Sequence, residues 1–194
     1  GDFNLTKIIR CPWPANDELM IHYHDTEWGV PLHNDQKLFE FIVLDGFQAG
    51  LSWRTILHKR ENFRRALAGF EVNQVANFGE IEINSLLANA GIIRNRAKIQ
   101  ATINNAARFL EVQQEFGSFD RYIWQFTAGK TIVNHWQKLS ELPDKSLAAE
   151  AMSADLIRRG FRFVGPKICY AFMQAAGMVN DHLESCFRWQ ELQD

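Results

Sequence analysis

Two cysteines and two histidines at opposite ends of the chain have the residue types of a metal site. Cys11 and His24 lie near the start, and His182 and Cys186 lie near the end. Two thiolates with two imidazoles form a ligand set of closed tetrahedral zinc sites, which leave no position for water. The sequence therefore predicts a structural zinc ion that joins the two ends. Ordinary buried thiols and hydrogen-bonded histidines remain the alternative, because the two pairs are much farther apart than in a compact zinc finger.

Local spacing places these ligands on helices. The nearer pair is assigned to a helix-like stretch, 16–28, and His182 and Cys186 have the i, i+4 spacing of one helical face. Asp181 is expected to orient His182 or a nearby backbone group.

The residues around these positions form specific motifs. They are 10–13 (RCPW), 23–31 (YHDTEWGVP), 48–53 (QAGLSW), 91–94 (GIIR), 159–165 (RGFRFVG), 168–175 (ICYAFMQA) and 177–182 (GMVNDH). Together they resemble the 3-methyladenine DNA glycosylase I family, and the resemblance extends from about Cys11 to Cys186. That family is known for a zinc site joining its termini through two Cys and two His. The four residues above fall on those positions.

The composition is that of a globular enzyme. The chain has 194 residues, 46% of them hydrophobic and 12% aromatic, which is enough for a sizeable core. No run of 18 apolar residues occurs, and no charged segment precedes a hydrophobic one, so neither a transmembrane helix nor a signal peptide is expected. Three cysteines argue against a disulfide framework, and Cys169 is expected to be a packed thiol. The resemblance implies a cytoplasmic monomer.

The overall charge does not indicate a nucleic-acid binder, since the formal net charge is -2. Basic residues nevertheless cluster at 59–65, 94–98 and 158–167. Each cluster is interpreted as a solvated helix face or, alternatively, as a phosphate contact.

Apolar residues recur at helical spacing and strand-like alternation is scarce, so the predicted fold is all-α. Asn34 and Ser146 are predicted N-caps, Gly29, Gly117 and Gly177 are predicted helix ends, and 127–145 is expected to be weakly structured. The resemblance implies a single DNA glycosylase domain, 1–194. Its two helical lobes would pack around a base-binding cleft.

A glycine-bounded hairpin, Gly160 to Gly165, lies between two predicted helices. Such a turn lets backbone N–H groups approach a phosphate closely, and it is similar to a helix-hairpin-helix DNA anchor. Pro166 suits the first turn of the next helix. Lys167 is interpreted as a phosphate contact or a solvated side chain, in preference to a Schiff-base nucleophile. A packed turn without any ligand is the alternative for the hairpin.

By resemblance, the pocket for the damaged base lies around 44–53, with the Asp45 carboxylate as the catalytic group that hydrogen-bonds the base. Gly50 and Leu51 would then form a loop that enters the DNA, with Leu51 as an apolar wedge. The expected aromatic walls are Trp13, Tyr23, Trp28 and Trp53. Their faces would attract the positive charge of an N3-methylated adenine nucleoside, each by about 0.5–2 kcal/mol. Core packing is the alternative role for these rings.

The chain departs from the family at three positions. Asp45 stands where Glu is usual, Met20 where an aromatic residue is usual, and Phe47 where Gln is common, so the pocket is expected to be more apolar and different in shape. The implied function is monofunctional hydrolysis of the N-glycosidic bond of 3-methyladenine in double-stranded DNA, a base-excision repair step that leaves an abasic site. One alternative is a non-catalytic or altered-specificity binder of alkylated or abasic DNA. A zinc hydrolase of small molecules is another, and it would need an open metal position.

Overall fold

The computed structural model describes residues 7–193, and most of these residues are helical. The expected all-α fold is confirmed. In chain order the helices are α1 (Glu18–Thr26), α2 (Asp35–Gln48), α3 (Trp53–His58), α4 (Arg60–Ala66), α5 (Val72–Ala76), α6 (Glu80–Ala88), α7 (Arg96–Phe116), α8 (Phe119–Ile123), α9 (Leu147–Arg158), α10 (Pro166–Ala175) and α11 (Phe187–Glu191).

The predicted caps explain where several helices begin and end. The Asn34 side chain accepts a hydrogen bond from the Lys37 backbone N–H at the start of α2. The Ser146 side chain accepts one from a backbone N–H in the first turn of α9. Gly117 ends α7 in the left-handed conformation, with φ of 86°. Gly29 and Gly177 follow α1 and α10 with positive φ as well.

The stretch 127–145 contains little regular structure, as expected. It holds a 3-10 turn, Leu139–Glu141, and the short strand β1 (Ile132–Val133). β1 pairs in parallel with β2 (Val179–Asn180), so this stretch is tied to the segment after α10.

The core is built around the long helix α7. α7 packs on α2, α5, α6 and α8, while α10 packs on α2 and α9. Phenylalanines fill the centre: the ring of Phe109 lies 4.1 Å from that of Phe119 and 5.3 Å from that of Phe39. Helix α2 therefore lies against both α7 and α10. Among residues 7–193, no helix combines the length and apolar character that crossing a bilayer requires.

The helical placement of the four candidate metal ligands is wrong for three of them. Only His24 lies on a helix, since Cys11 precedes α1. His182 and Cys186 lie in a tight turn, in which the Cys186 N–H donates to the Leu183 carbonyl at 2.8 Å. The Asn180 side chain accepts from the His182 N–H at 3.3 Å, a local bond that competes with helical pairing.

Candidate active site and candidate metal centre

An aromatic cavity of about 260 Å³ lies where α1, α2, α3 and α10 meet. Its wall contains all five residues that the sequence assigned to base recognition and catalysis. The lining residues are Trp13, Tyr23, Trp28, Asp45, Gln48, Trp53, Leu139, Leu142, Ala171 and Gln174. A cavity of this size suits one flat heteroaromatic ring system better than a drug-sized ligand, which usually needs about 300–1,000 Å³.

The aromatic rings of the wall pack mostly edge to face. The ring centroids of Trp13 and Trp28 are 5.2 Å apart at an interplanar angle of 68°, and those of Tyr23 and Trp53 are 5.2 Å apart at 44°. Such pairs are typical of stable aromatic packing and hold each ring in a defined orientation. Contacts among the rings themselves therefore fix the shape of the wall.

Asp45 is a buried carboxyl group without a hydrogen-bond partner. It lies near the C-terminal end of α2 and is 3% exposed, and its Oδ2 atom is buried without a donor. Burial raises the pKa of Asp45 well above its usual range. Burial also raises the pKa of Tyr23, and the neighbouring charge of Asp45 adds to that shift. A buried polar group left unpaired costs about 1–3 kcal/mol, so the fold alone does not explain this carboxyl group.

Sequence reasoning missed half of the cavity wall. Gln48 lies three residues after Asp45 on α2, and helical spacing could have identified it. Gln174 lies in the 168–175 motif, but the sequence did not predict that it would line the cavity. Leu139 and Leu142 come from the weakly structured stretch, which carries no local signal.

Met20 and Phe47 do not line the cavity wall, and the expectation of a more apolar pocket of different shape stays a prediction. Both side chains are buried in the core, and the Phe47 ring lies 4.8 Å from that of Phe63. Because Phe47 is two residues from Asp45 on a helix, its side chain points to a different face. Of Met20, Asp45 and Phe47, Asp45 alone lies in the wall.

The four predicted metal ligands meet in one buried cluster. One donor atom from each of Cys11, His24, His182 and Cys186 lies within 4.8 Å of all the others. The Nδ1 atom of His182 is 3.1 Å from Nε2 of His24, 3.5 Å from the Cys186 sulfur and 3.7 Å from the Cys11 sulfur.

Both imidazole rings are oriented by acceptors outside the cluster. The Nδ1 atom of His24 lies 2.7 Å from Asp25, which also accepts from Arg10, and Nε2 of His182 lies 2.8 Å from the Trp28 carbonyl. Each acceptor requires an N–H on the outer nitrogen. The inner nitrogen of each neutral ring then presents a lone pair to the cluster.

The Asp181 carboxylate accepts from neither the His182 ring nor a backbone N–H, so the expectation that it orients His182 or a nearby backbone group is wrong. Its carboxylate accepts hydrogen bonds from the side chains of Asn134, Trp136, Tyr170 and Gln174. Asp181 therefore fixes Gln174 in the cavity wall and joins α10 to the segment after β1.

The two thiols of the cluster influence each other. The neighbouring Cys11 thiol lowers the pKa of Cys186, while the Cys186 thiol and burial raise the pKa of Cys11. Cys169 lies outside the cluster, as expected of a packed thiol, and burial raises its pKa to about 12.

Of the predicted DNA-contacting residues, Lys167 lies nearest the aromatic cavity, because it lines a neighbouring cavity that shares Asp45 with it. Leu51 is 41% exposed, and a second cavity of about 140 Å³ is lined by residues including Asp45, Ala49 and Lys167. The hairpin runs from Gly160 to Gly165, the N-cap of α10. The ammonium group of Lys167 is exposed and lies 3.2 Å from Asp144.

Comparison with known proteins gives consistent matches over most of the chain. A family described as methyladenine glycosylase matches residues 13–189. The DNA-3-methyladenine glycosylase 1 of Escherichia coli (strain K12) is 48% identical over 177 residues, which are 91% of this chain and 95% of that protein. The DNA-3-methyladenine glycosylase of Haemophilus influenzae (strain ATCC 51907 / DSM 11121 / KW20 / Rd) is 44% identical, with 91% and 96% covered.

Solved structures agree with these relatives. A crystal structure of 3-methyladenine DNA glycosylase I superposes with a TM-score of 0.90 at 47% identity, covering 92% of this chain and 98% of the other. The Staphylococcus aureus 3-methyladenine DNA glycosylase I, solved to explain 3-methyladenine recognition, gives a TM-score of 0.89 at 34% identity, with 92% and 95% covered.

Replacing Asp45 with Asn is expected to stabilise the protein at neutral and mildly alkaline pH. Because burial raises the folded pKa above the unfolded value of about 3.9, the wild type loses stability as the pH rises from that value towards the folded pKa. The amide cannot ionise, so the advantage of Asp45→Asn should grow with pH and reach about 1–3 kcal/mol. Urea unfolding at pH 5 and pH 8 measures the difference.

Asp181→Asn is the matched control, because that buried carboxylate has four donors. It should lose stability at both pH values. Equal free energies of unfolding for Asp45→Asn and the wild type at both pH values would contradict the expected cost of the Asp45 carboxylate.

Proposed function

The chain belongs to the methyladenine glycosylase family, and on that premise we propose how its cavity excises 3-methyladenine from DNA. The reaction is hydrolysis of the N-glycosidic bond, which leaves an abasic site for base-excision repair. The observation that carries the proposal is the aromatic cavity with the unpartnered Asp45 carboxyl group in its wall. A buried acid without a protein partner is typical of a functional site.

Charge is the basis of base selection. A 3-methyladenine nucleoside is cationic, and aromatic faces attract a cation by about 0.5–2 kcal/mol each. A cation beside Asp45 also favours its ionised form, which offsets the effect of burial on its pKa. Normal adenine is neutral and provides neither interaction. The cavity therefore favours the methylated base through both its rings and its carboxylate.

The bond to the methylated base is already weakened by its positive charge. As the C1′–N9 bond breaks, the bonding electrons neutralise the base and positive charge develops on the sugar. Water adds to C1′, keeps one hydrogen as the new hydroxyl group and releases the other as a proton to solvent. Neutral 3-methyladenine leaves. The Asp45 carboxylate holds the methylated base by accepting a hydrogen bond from it. Because the glycosidic bond is already weakened, no additional strong general base is needed to activate the water.

Access to the cavity requires that the base leave the DNA stack. Gly50 and Leu51 form the loop between α2 and α3, beside Asp45 and Trp53. We assign the exposed Leu51 side chain to the gap left by the extruded base.

The hairpin at 160–165 is the proposed phosphate anchor, in the manner of a helix-hairpin-helix motif. At Gly165 φ is -64°, and a Cβ built there meets no atom within 4 Å, so the fold itself does not require glycine. The missing side chain leaves the N-terminal N–H groups of α10 accessible to an anion. Lys167 adds positive charge in the first turn of α10, two residues after Gly165, and we assign it to phosphate contact.

We assign a structural zinc ion to Cys11, His24, His182 and Cys186. Tetrahedral zinc with its usual bond lengths places its donor atoms about 3.3–3.8 Å apart. The separations of 3.1–3.7 Å around His182 Nδ1 are close to this range, and all four donor atoms lie within 4.8 Å of one another. The two inward-facing imidazole lone pairs would repel one another without a cation between them. Four protein ligands would complete the coordination of such an ion, which would then hold the chain together, and this disfavours the zinc-hydrolase alternative.

The remaining proposals rest on family membership. The substrate is double-stranded DNA, and the protein acts as a monomer in the cytoplasm, where bacterial DNA is located. The whole chain, 1–194, forms one glycosylase domain with two helical lobes around the cavity. Residues 1–6 and 194 of that domain lie outside the described residues.

Purified protein in excess over methylated duplex DNA should release 3-methyladenine, resolved from other bases by chromatography. Asp45→Asn should lower the single-turnover excision rate by about 10²–10³-fold, because it removes a charge that acts in a water-poor site. Asp45→Glu is the matched control and should remain active, since it keeps the carboxylate. An unchanged rate in Asp45→Asn would exclude Asp45 from base recognition. DNA binding by the wild type without base release would instead support the non-catalytic alternative.

Cys186→Ala should lose bound zinc and unfold at lower urea concentration, because the C-terminal segment is released. Cys169→Ala is the control: it also removes a buried thiol, but one outside the cluster, and should retain about one zinc per chain. Elemental analysis with parallel urea unfolding measures both effects. Full zinc content in Cys186→Ala would overturn the metal assignment.

Gly165→Ala should weaken binding to a duplex containing an abasic-site analogue by about tenfold or more, since one charge-assisted hydrogen bond contributes about 1.5–3 kcal/mol. The free energy of unfolding should change by less than about 1 kcal/mol, because the backbone conformation at 165 suits alanine. Gly79→Ala makes the same change at the N-cap of α6 and should leave binding unchanged. Equal affinities for all three proteins would contradict the phosphate anchor. Fluorescence anisotropy measures them.

A further inference from the structure

A buried lysine on α7 holds the end of α2. Lys98 is 8% exposed, and its ammonium group donates to the backbone carbonyls of Phe47 at 2.9 Å and Ala49 at 2.6 Å. The basic run at 94–98 was interpreted from sequence as a solvated face or a phosphate contact. Neither interpretation describes Lys98, because its ammonium group is buried and bonded to backbone carbonyls of the protein itself.

The position of this ammonium group has a clear electrostatic reason. The last carbonyls of a helix lack intrahelical partners and carry the negative end of the helix dipole. α2 has no basic residue in its own last turn, so Lys98 supplies the positive charge from α7. The chain continues directly into Gly50 and Leu51, and the Leu51 N–H donates to Gln48 at 2.7 Å. Lys98 therefore fixes the start of the loop that carries the Leu51 wedge.

A second buried side chain on α7 holds the hairpin. Asn105 is 5% exposed, and its amide accepts from the Arg162 N–H and donates to the Arg162 carbonyl, both at 2.9 Å. One side chain thus satisfies both backbone groups of a residue in the middle of the hairpin. The neighbouring Asn104 donates to the Gly160 carbonyl at 2.8 Å.

These two contacts have a fixed separation. Lys98 and Asn105 are seven residues apart, which is about two turns or 10.5 Å on one helical face. α7 is continuous from Arg96 to Phe116, so it cannot shorten between them. The space they enclose is only about 10 Å³, and the hairpin also lies against α2, where a Cβ at Gly46 would be 3.6 Å from Phe163. The loop and the hairpin are therefore held at a set distance.

We propose that α7 is a strut that sets the distance between the Leu51 wedge and the hairpin, with Lys98 and Asn105 as positioning residues. This inference rests on the proposed function, since it assigns both segments to DNA. A hairpin bound to a phosphate fixes the protein on the duplex. The wedge then enters the base stack at one offset from that phosphate, and an error of about 1 Å in such placement can cost about 10²-fold in rate.

Lys98→Met keeps the aliphatic stem and removes the charge. The single-turnover excision rate on methylated duplex DNA should fall by about 10- to 100-fold. Excision from methylated single-stranded DNA should fall much less, because no base is drawn out of a duplex. The dissociation constant for free 3-methyladenine should stay within about twofold, since Lys98 does not line the cavity.

Thr102→Val is the matched control. Thr102 lies between Lys98 and Asn105 on the same buried face of α7, and its hydroxyl donates only to the Lys98 carbonyl within the helix. Because valine has nearly the same shape, Thr102→Val should match the wild type in all three assays.

A base-opening signal separates positioning from stability. 2-Aminopurine placed opposite an abasic-site analogue should brighten when wild-type protein inserts the wedge, and the increase should be lost in Lys98→Met. Asn105→Ala should weaken duplex affinity and also lower the saturated excision rate on duplex DNA by about tenfold, because the hairpin is no longer held at one distance from the wedge. This second variant also tests the strut if Lys98→Met does not fold.

Equal loss of duplex excision, single-strand excision and free-base binding in Lys98→Met would overturn the proposal, because that pattern reports general destabilisation. Wild-type rates in both Lys98→Met and Asn105→Ala would overturn it as well. If the wild type released no base, the proposed function would fail, and the 2-aminopurine comparison would still decide whether α7 positions the wedge.

Discussion

The meeting of two thiols and two imidazoles within 4.8 Å is the constraint on which the site depends. It joins Cys11 to His182 across 171 positions of the chain. The aromatic wall is built against it, because the Trp28 ring lies 4.7 Å from the His182 ring and the Trp13 ring lies 5.4 Å from the His24 ring. The Trp13 and Trp28 rings therefore belong both to the cavity wall and to the packing around the cluster that joins the two ends of the chain. Even the Trp28 backbone takes part, since its carbonyl orients His182.

Two buried carboxyl groups, Asp181 and Asp45, differ in their hydrogen bonds, and this difference separates a structural role from a functional one. Asp181 accepts hydrogen bonds from four side chains and joins α10 to the segment after β1. Asp45 has none, although both residues are nearly inaccessible. A fully bonded buried carboxylate stabilises one arrangement of the surrounding chain, whereas an unpaired one remains available for a ligand. The hydrogen-bond inventory therefore distinguishes the two roles where burial cannot.

The sequence predicted what depends on local pattern and residue type. Helical periodicity and the caps at Asn34 and Ser146 follow from backbone chemistry a few residues away, and the four-ligand set follows from side-chain chemistry. The helix proposed for 182–186 was wrong because a tight turn also brings residues i and i+4 together. Leu139 and Gln174 reach the cavity through long-range packing, which no local pattern reports. Lys98 was misread because the carbonyl groups that bury its charge belong to a distant helix. The functional roles of the site residues stay predictions.

The unpaired carboxyl group at Asp45 has a consequence for how this family changes over generations. Nothing in the surrounding structure uses that group, so a chain that loses it still folds and persists in the cell. Stability does not preserve the carboxyl group at position 45, and replacements of similar size there are not removed as misfolded protein. Only continued damage to the genome maintains an acidic side chain at this position. A lineage sheltered from alkylation would be expected to keep the fold and lose the enzyme.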